Sequence, residues 1–195
     1  MTPRRALLLL APIALLTLLA GCGGTSSTDP SASSASPSAS SSQWPTINPC
    51  DGLRPAPVAR ALGWPLKVDE GTASNARCAL LPVKKGGPTY ELNYLWFPGG
   101  LDAAWNTISA PKGAVTRPKV PGADAARLVV YAAKKAYYVS GFVQNGALIQ
   151  SFNGIALAPY DADRMRRSAL VLLAQLSANA PRSQPTPGAS ATPSS

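Results

Sequence analysis

Hydrophobic and polar residues follow two different periods along the first half of the folded region. They alternate over residues 89–97, and this period of two predicts a strand with one buried face. Apolar residues recur at helical spacing over residues 101–108, and a short helix is also expected near residues 57–62. Shorter apolar runs at residues 77–83 and 114–120 are expected to form strands.

The second half of the chain has the clearest strand pattern. Three runs of apolar, β-branched and aromatic residues predict consecutive strands at residues 126–131, 136–144 and 147–156. Asn145-Gly146 lies between the last two runs and predicts a hairpin, because both residues tolerate the positive φ of a type I′ turn. A helix is expected next, with Asp161 and Asp163 at its start. Its apolar face would consist of Met165, Ala169, Leu172, Leu173 and Leu176.

These elements predict a single α+β domain over residues 44–177. We expect a curved antiparallel sheet, connected as a meander, with helices packed on one face. Segments 22–43 and 178–195 are rich in Ser, Ala and Pro and have no apolar pattern. Both are therefore predicted to be disordered, the first as a tether and the second as a tail.

Residues 1–21 have the organisation of an export signal. Arg4 and Arg5 precede an apolar run over residues 6–20, which is short for a membrane span because about 20 residues are needed. The run ends in a segment that resembles the lipobox of bacterial lipoproteins, with matches at Leu18, Ala20, Gly21 and Cys22. The resemblance implies cleavage after residue 21 and attachment of acyl chains, such as palmitate, to Cys22.

Two other interpretations of this segment are an ordinary secretory signal and a short membrane anchor that is not cleaved. Under the lipobox interpretation, the acyl chains would anchor the protein to the extracytoplasmic face of the cell membrane. The membrane would then be a partner through the lipid anchor.

The chain is basic, with a formal net charge of +9. Loss of Arg4 and Arg5 with the signal would leave 16 basic against nine acidic side chains, about +7. Such a protein is attracted to anionic lipid or to polyanionic wall polymer. The basic residues fall in separate elements, however, which favours solvated surface positions over one specific site. Nucleic acid is not expected as a partner at an extracytoplasmic address.

Three cysteines are present, and two remain once Cys22 is assigned to the lipid. Cys50 and Cys78 are predicted to form a disulfide, since an exported chain folds in an oxidising compartment. The alternative is a pair of buried free thiols. Two cysteines without histidine make a poor zinc site, so neither a metal nor a cofactor is expected.

Several short motifs recur in a recognisable order, namely Cys50-Asp51-Gly52-Leu53, Leu62-Gly63, Cys78 and Pro121-Gly122-Ala123-Asp124-Ala125. This pattern resembles that of the small, largely uncharacterised lipoproteins of actinobacterial cell envelopes. Cys78 is followed by Ala79-Leu80, where the family has an aromatic residue two positions on. The resemblance implies a two-cysteine α+β domain at the cell envelope and no catalytic residues.

Catalytic chemistry has few candidates in this chain. Histidine is absent, which excludes nucleophilic devices that use it as the base. The carboxylate pairs Asp69-Glu70 and Asp161/Asp163 are the remaining route to acid–base catalysis. We expect the first pair in a polar loop and the second as favourable charges at a helix start, so an enzyme is not predicted.

Aromatic residues are numerous for one small sheet, and most are expected in the core. An alternative is that one sheet face leaves an apolar groove open to a ligand. The favoured function is therefore a non-catalytic binding module of the cell envelope. Its ligand would be a hydrophobic molecule such as a lipid, or else a wall polymer or an envelope protein. The second hypothesis is a structural or accessory lipoprotein of a membrane protein complex.

Overall fold

The structure of the protein, a computed structural model, describes residues 44, 46–72, 75–108 and 111–181. The predictions for the signal peptide, for Cys22, for the tether over residues 22–43 and for tail residues 182–195 lie outside this range. Ten elements follow one another along the described chain. They are α1 (Pro55–Leu62), β1 (Leu66–Thr72), β2 (Asn75–Pro82), β3 (Thr89–Trp96), α2 (Gly100–Thr107), β4 (Ala114–Thr116), β5 (Ala125–Ala132), β6 (Ala136–Asn145), β7 (Leu148–Leu157) and α3 (Ala162–Ala178).

The strands form one antiparallel sheet in the order β1-β2-β3-β7-β6-β5-β4. With its three helices, this architecture confirms the α+β class. The prediction of a meander holds only within each half of the sheet, because β3 pairs with β7 and not with the next strand in the chain. A helix and three strands are thus inserted between two neighbouring strands of the sheet.

The helices lie on both faces of the sheet, which corrects the expectation that they share one. α1 packs against α3, and buried residues of both join the main core on what we call the first face. α2 packs on the opposite, second face, where Leu101 and Ala104 contact Ile149. Gln144 fixes α2 there, since its Oε1 accepts a hydrogen bond of 2.7 Å from the Leu101 N–H at the helix start.

Tyr90 and Phe152 lie at the centre of the main core, fully buried and packed edge to face at 5.7 Å. Each ring occupies the space above a glycine on a neighbouring strand. A Cβ atom on Gly154 would overlap Tyr90, and one on Gly141 would overlap Phe152. The two glycines therefore provide room for the largest core side chains at the β3–β7–β6 junction.

The two sequence expectations at the sheet edges need correction. β1 was not predicted, and Asp69 and Glu70 lie on this edge strand and not in a loop. Its polar composition hides it, because an edge strand with exposed side chains shows no hydrophobic alternation. β4 ends at Thr116, earlier than expected. Pro118 has no N–H to donate and disfavours regular structure in the residue before it.

The predicted disulfide is confirmed. Cys50 and Cys78 are bonded, with 5.4 Å between their Cα atoms and 28 residues of sequence separation. Cys78 is opposite Leu92 in the β2–β3 pair, so the bond fastens the segment before α1 to the first face. The start of that segment is held by Trp44, which stacks on Trp96 at 5.1 Å.

The predicted helix start at Asp161 is also confirmed. Asp161 is the N-cap of α3 and accepts a 2.9 Å hydrogen bond from the Arg164 N–H, while Asp163 lies in the first turn. At the other end of α3, the Gln150 side chain donates to the Leu176 carbonyl at 2.7 Å. Both ends of the helix thus have partners for backbone groups that helical hydrogen bonding leaves free.

The Tyr90 hydroxyl gives a test of this core. It lies 2.5 Å from Ser168 Oγ, and Ser168 donates to the Met165 carbonyl, so Tyr90 is the donor. Burial raises the pKa of Tyr90 to about 12 from 10.0, although the Ser168 hydrogen bond acts in the opposite direction. The folded state therefore holds the phenol proton more tightly than the unfolded state does.

We predict that Tyr90 makes stability fall between pH 10 and pH 12. Below pH 10 the contribution of Tyr90 to the free energy of unfolding is complete. Above pH 12 that contribution, about 2–3 kcal/mol, is lost. Tyr90→Phe should cost about 1 kcal/mol near pH 8 through the lost hydrogen bond. Urea unfolding of both proteins across this pH range should show a shallower decline for the variant. Equal slopes would contradict the prediction.

Candidate functional site

The second face of the sheet is only partly covered. α2 packs over the end near the β6–β7 turn, where it meets Ile149, Phe142 and Ala125. Toward the other end of β5 and β6, this face exposes Tyr131 and Tyr138, whereas its smaller side chains Val129 and Ala136 are buried. An open sheet face that carries large aromatic side chains is a candidate binding surface.

A groove of about 480 Å³ lies on this exposed part. Its floor consists of residues of β5, β6 and the turn between them, and its wall is the segment that follows α2. The lining residues are Pro111, Lys112, Val129, Tyr131, Ala133, Tyr138 and Ser140. The lining is therefore mainly apolar, with one positive charge and no negative charge.

Tyr131 and Tyr138 form the main feature of the groove. They are cross-strand neighbours in the β5–β6 pair, and their rings stack with centroids 5.9 Å apart. Their exposed fractions are 42% and 43%, so each ring keeps a large part of its surface open to solvent. Ser140, next on the same face, donates a 2.7 Å hydrogen bond to Asn153 Oδ1 and keeps its oxygen lone pairs for another donor.

Arg127 lies further along β5 on the same face. Its guanidinium is 4.3 Å from the centre of the Trp105 ring and donates to Asp102 Oδ1 at 2.6 Å. The two partners of this ion pair differ in environment, because the Arg127 side chain is 7% exposed and that of Asp102 is 84% exposed. Packing on Trp105 therefore holds Arg127 more firmly than the solvent-screened carboxylate does.

The residues singled out in the sequence do not form a common site. The Cys50–Cys78 disulfide lies on the first face, away from the groove. Asp69 bonds Arg77 and the Gly71 N–H, and the Arg77 hydrogen bond is the main cause of its lowered pKa. Asp161 caps α3, as expected for a favourable charge at a helix start.

The sequence did not single out the tyrosine pair. Tyr137 and Tyr138 are adjacent, and their alternation along β6 places Tyr137 in the core and Tyr138 on the groove. Because both faces of this strand carry aromatic residues, hydrophobicity alone does not identify the open one. The register of β5 against β6, which pairs Tyr131 with Tyr138, supplies that information.

The described residues contain no group of three or more His, Cys, Asp or Glu side chains placed to hold a metal ion. Among the same residues, no helix has the length and apolar character needed to cross a membrane.

Comparisons with known proteins leave this α+β domain without an assigned relative. No protein-family model matches the chain, and no curated protein or solved structure is significantly similar to it. The geometry of the domain is therefore the main guide to its function.

We predict that Arg127 stabilises the second face mainly through Trp105. Arg127→Ala should lower the free energy of unfolding by about 2 kcal/mol, through the lost stacking and packing of its stem. Asp102→Ala should cost less than about 1 kcal/mol, since water can replace an exposed carboxylate. Urea unfolding measures both values. A larger loss for Asp102→Ala than for Arg127→Ala would show that the ion pair dominates.

Proposed function

We propose that this protein is an exported lipoprotein, anchored by Cys22 to the extracytoplasmic face of the cell membrane, whose folded domain is a non-catalytic binding module of the cell envelope. The groove on the second face carries this proposal. It combines a mainly apolar lining with an exposed tyrosine pair and a few polar groups, a composition typical of ligand sites.

The proposed address is supported by the lipobox resemblance at Leu18–Cys22 and by the disulfide, which is typical of exported proteins. The chain enters the domain at Trp44, which stacks on Trp96 at the end of β3. Trp96 is opposite Leu148, next to the β6–β7 turn, whereas the groove adjoins the β5–β6 turn. The proposed ligand site is thus remote from the point where the tether joins.

The non-catalytic part of the proposal is supported by the chemistry of the groove. Ser140 is its one aliphatic hydroxyl, and that group donates to Asn153, which is not a base. The chain has no histidine to activate a nucleophile. Lys112 and two tyrosines supply charge and stacking surface, which suit recognition of a ligand.

A second candidate function is an accessory role in a membrane protein complex. It is favoured by apolar side chains of the second face that are exposed outside the groove, among them Leu95, Val115 and Leu157. These side chains lie on different strands and at different ends of the sheet. Dispersed apolar residues favour this role less than the continuous groove favours ligand binding.

The anchor gives the first prediction of this proposal. Cys22→Ala should move the protein from the membrane fraction to the soluble extracytoplasmic fraction, because the acyl chains that hold it would be lost. Cys50→Ala/Cys78→Ala is the matched control and should remain with the membrane. Retention of Cys22→Ala would indicate an uncleaved anchor, and release of the unaltered protein would indicate an ordinary secretory signal.

Binding through the groove gives the second prediction. The detergent-solubilised full chain should bind isolated cell-envelope material, and Tyr131→Ala/Tyr138→Ala should weaken binding about tenfold through loss of two aromatic contacts. Val83→Ala/Leu170→Ala removes exposed apolar groups elsewhere and should bind normally. Sedimentation with envelope material gives the affinities. Equal binding by the tyrosine variant, or none by the unaltered chain, would refute the groove as the site.

A further inference from the structure

Five basic residues lie along the edge strand β4 and in the turn after β5, with Lys112, Lys134 and Lys135 at the groove and Arg117 and Lys119 further along the edge. Lys112 precedes β4 by two residues, and Arg117 and Lys119 follow it, while Lys134 and Lys135 lie between β5 and β6. We call these five residues the basic edge. They are separated by up to 23 positions in the chain, and the β4–β5 pairing brings them to one side of the sheet.

The charges of the basic edge have no internal counterpart. None of its residues forms an ion pair with any other residue that the structure describes. Two carboxylates line the same pocket as Arg117 and Lys119: Asp102 pairs with Arg127, and Asp124 accepts a 2.6 Å hydrogen bond from the Gly146 N–H. The aromatic groove has no acidic lining residue, so the positive charge is least compensated at its end of the basic edge.

The opposite edge of the sheet differs in charge. β1 carries both signs, with Lys67 beside Asp69 and Glu70, and Asp69 is paired with Arg77 of β2. The two edges of the sheet therefore differ, because only the β4 edge is flanked by a run of residues that are all basic.

The basic edge connects the groove to a second pocket. That pocket has a volume of about 470 Å³, and its charged lining residues are Arg117, Lys119, Arg127, Asp102 and Asp124. The residues of the β5 segment that line the two pockets run from Ala125 to Ala133, one position beyond the end of β5. At about 3.3 Å per residue, this stretch is roughly 26 Å long, which is enough for several units of a linear polymer.

We propose that the groove and the basic edge form one binding site for an acidic polysaccharide of the cell wall. This inference rests on the proposed binding function and names the ligand class. The C–H face of a sugar ring is apolar and packs on the electron-rich face of an aromatic ring such as Tyr131 or Tyr138. Ser140 accepts a sugar hydroxyl, and the carboxylates or phosphates of the chain pair with the basic edge.

The position of the site favours a wall polymer over the membrane that would hold the anchor. Trp44, where the chain enters the domain, stacks on Trp96, a residue of the first-face side of β3. The groove lies on the second face, at the opposite end of the strands. A second copy of the protein is also disfavoured, because two basic edges repel each other.

The experiment measures binding of the detergent-solubilised full chain to three soluble probes. Alginate is an acidic polysaccharide, dextran is a neutral one, and poly-L-glutamate is acidic without sugar rings. We expect alginate to bind at least tenfold more tightly than either of the others, with an affinity that falls as salt increases. Lys134→Gln/Lys135→Gln should weaken alginate binding by roughly tenfold, from the loss of two charges near a polyanion.

Two comparisons make the result specific. Lys84→Gln/Lys85→Gln removes the same charge from another turn and should leave alginate binding unchanged. Tyr131→Leu/Tyr138→Leu should weaken alginate binding about fivefold but leave any poly-L-glutamate binding unchanged. Equal loss in the two lysine variants, or equal affinity for alginate and poly-L-glutamate, would reduce the interaction to net charge and overturn the proposal.

Failure of this inference is distinguishable from failure of the binding function. Tyrosine-dependent binding to envelope material without alginate binding would overturn the acidic-polysaccharide class and leave the binding module intact. Equal affinity for dextran and alginate would overturn the role of charge. Preferential, tyrosine-dependent binding to vesicles of anionic phospholipid, without alginate binding, would replace the polysaccharide by a membrane. Failure to bind alginate, vesicles or envelope material would overturn both proposals.

Discussion

The pairing of β3 with β7 is the contact on which the rest of the architecture depends, because it joins the first three strands to the last four. Eight residue pairs form it, from Thr89 opposite Ile155 to Trp96 opposite Leu148. A slip of one residue would move Tyr90 to the wrong face of the sheet. Gly154, which is opposite Tyr90, provides the space that this ring occupies, so side-chain shape as well as hydrogen bonding selects the register.

This register also decides which face is free for binding. It directs the large core side chains to the first face, where α1, α3 and the disulfide-linked segment cover them. The second face receives only α2, whose eight residues extend about 12 Å. The ten residues of β6 extend about 33 Å. A short helix on a long strand necessarily leaves part of that face open, and the groove lies there.

Local signals in the sequence predicted the elements that local interactions determine. Asn145-Gly146 indicated the hairpin, although Asn145 pairs with Leu148 and the two turn residues are Gly146 and Ala147. Asp161 identified the start of α3, and the two remaining cysteines identified the disulfide. The β3–β7 pairing and the side on which α2 packs depend on contacts between distant segments, which periodicity does not reveal. An apolar groove on one sheet face was an alternative in the sequence, but its position was not predicted, since that needs the pairing of Tyr131 with Tyr138.

The basic edge has a simpler explanation that must be compared with ligand binding. Lysines on edge strands prevent sheets from pairing with one another, and β4 is an edge strand. Protection of this kind needs charge but not charge of one sign, and β1 carries both signs. Like charges also repel within the folded protein and lower its stability. A bound polyanion removes that repulsion and covers the exposed tyrosines, so a single ligand accounts for two features that are unfavourable in the free domain.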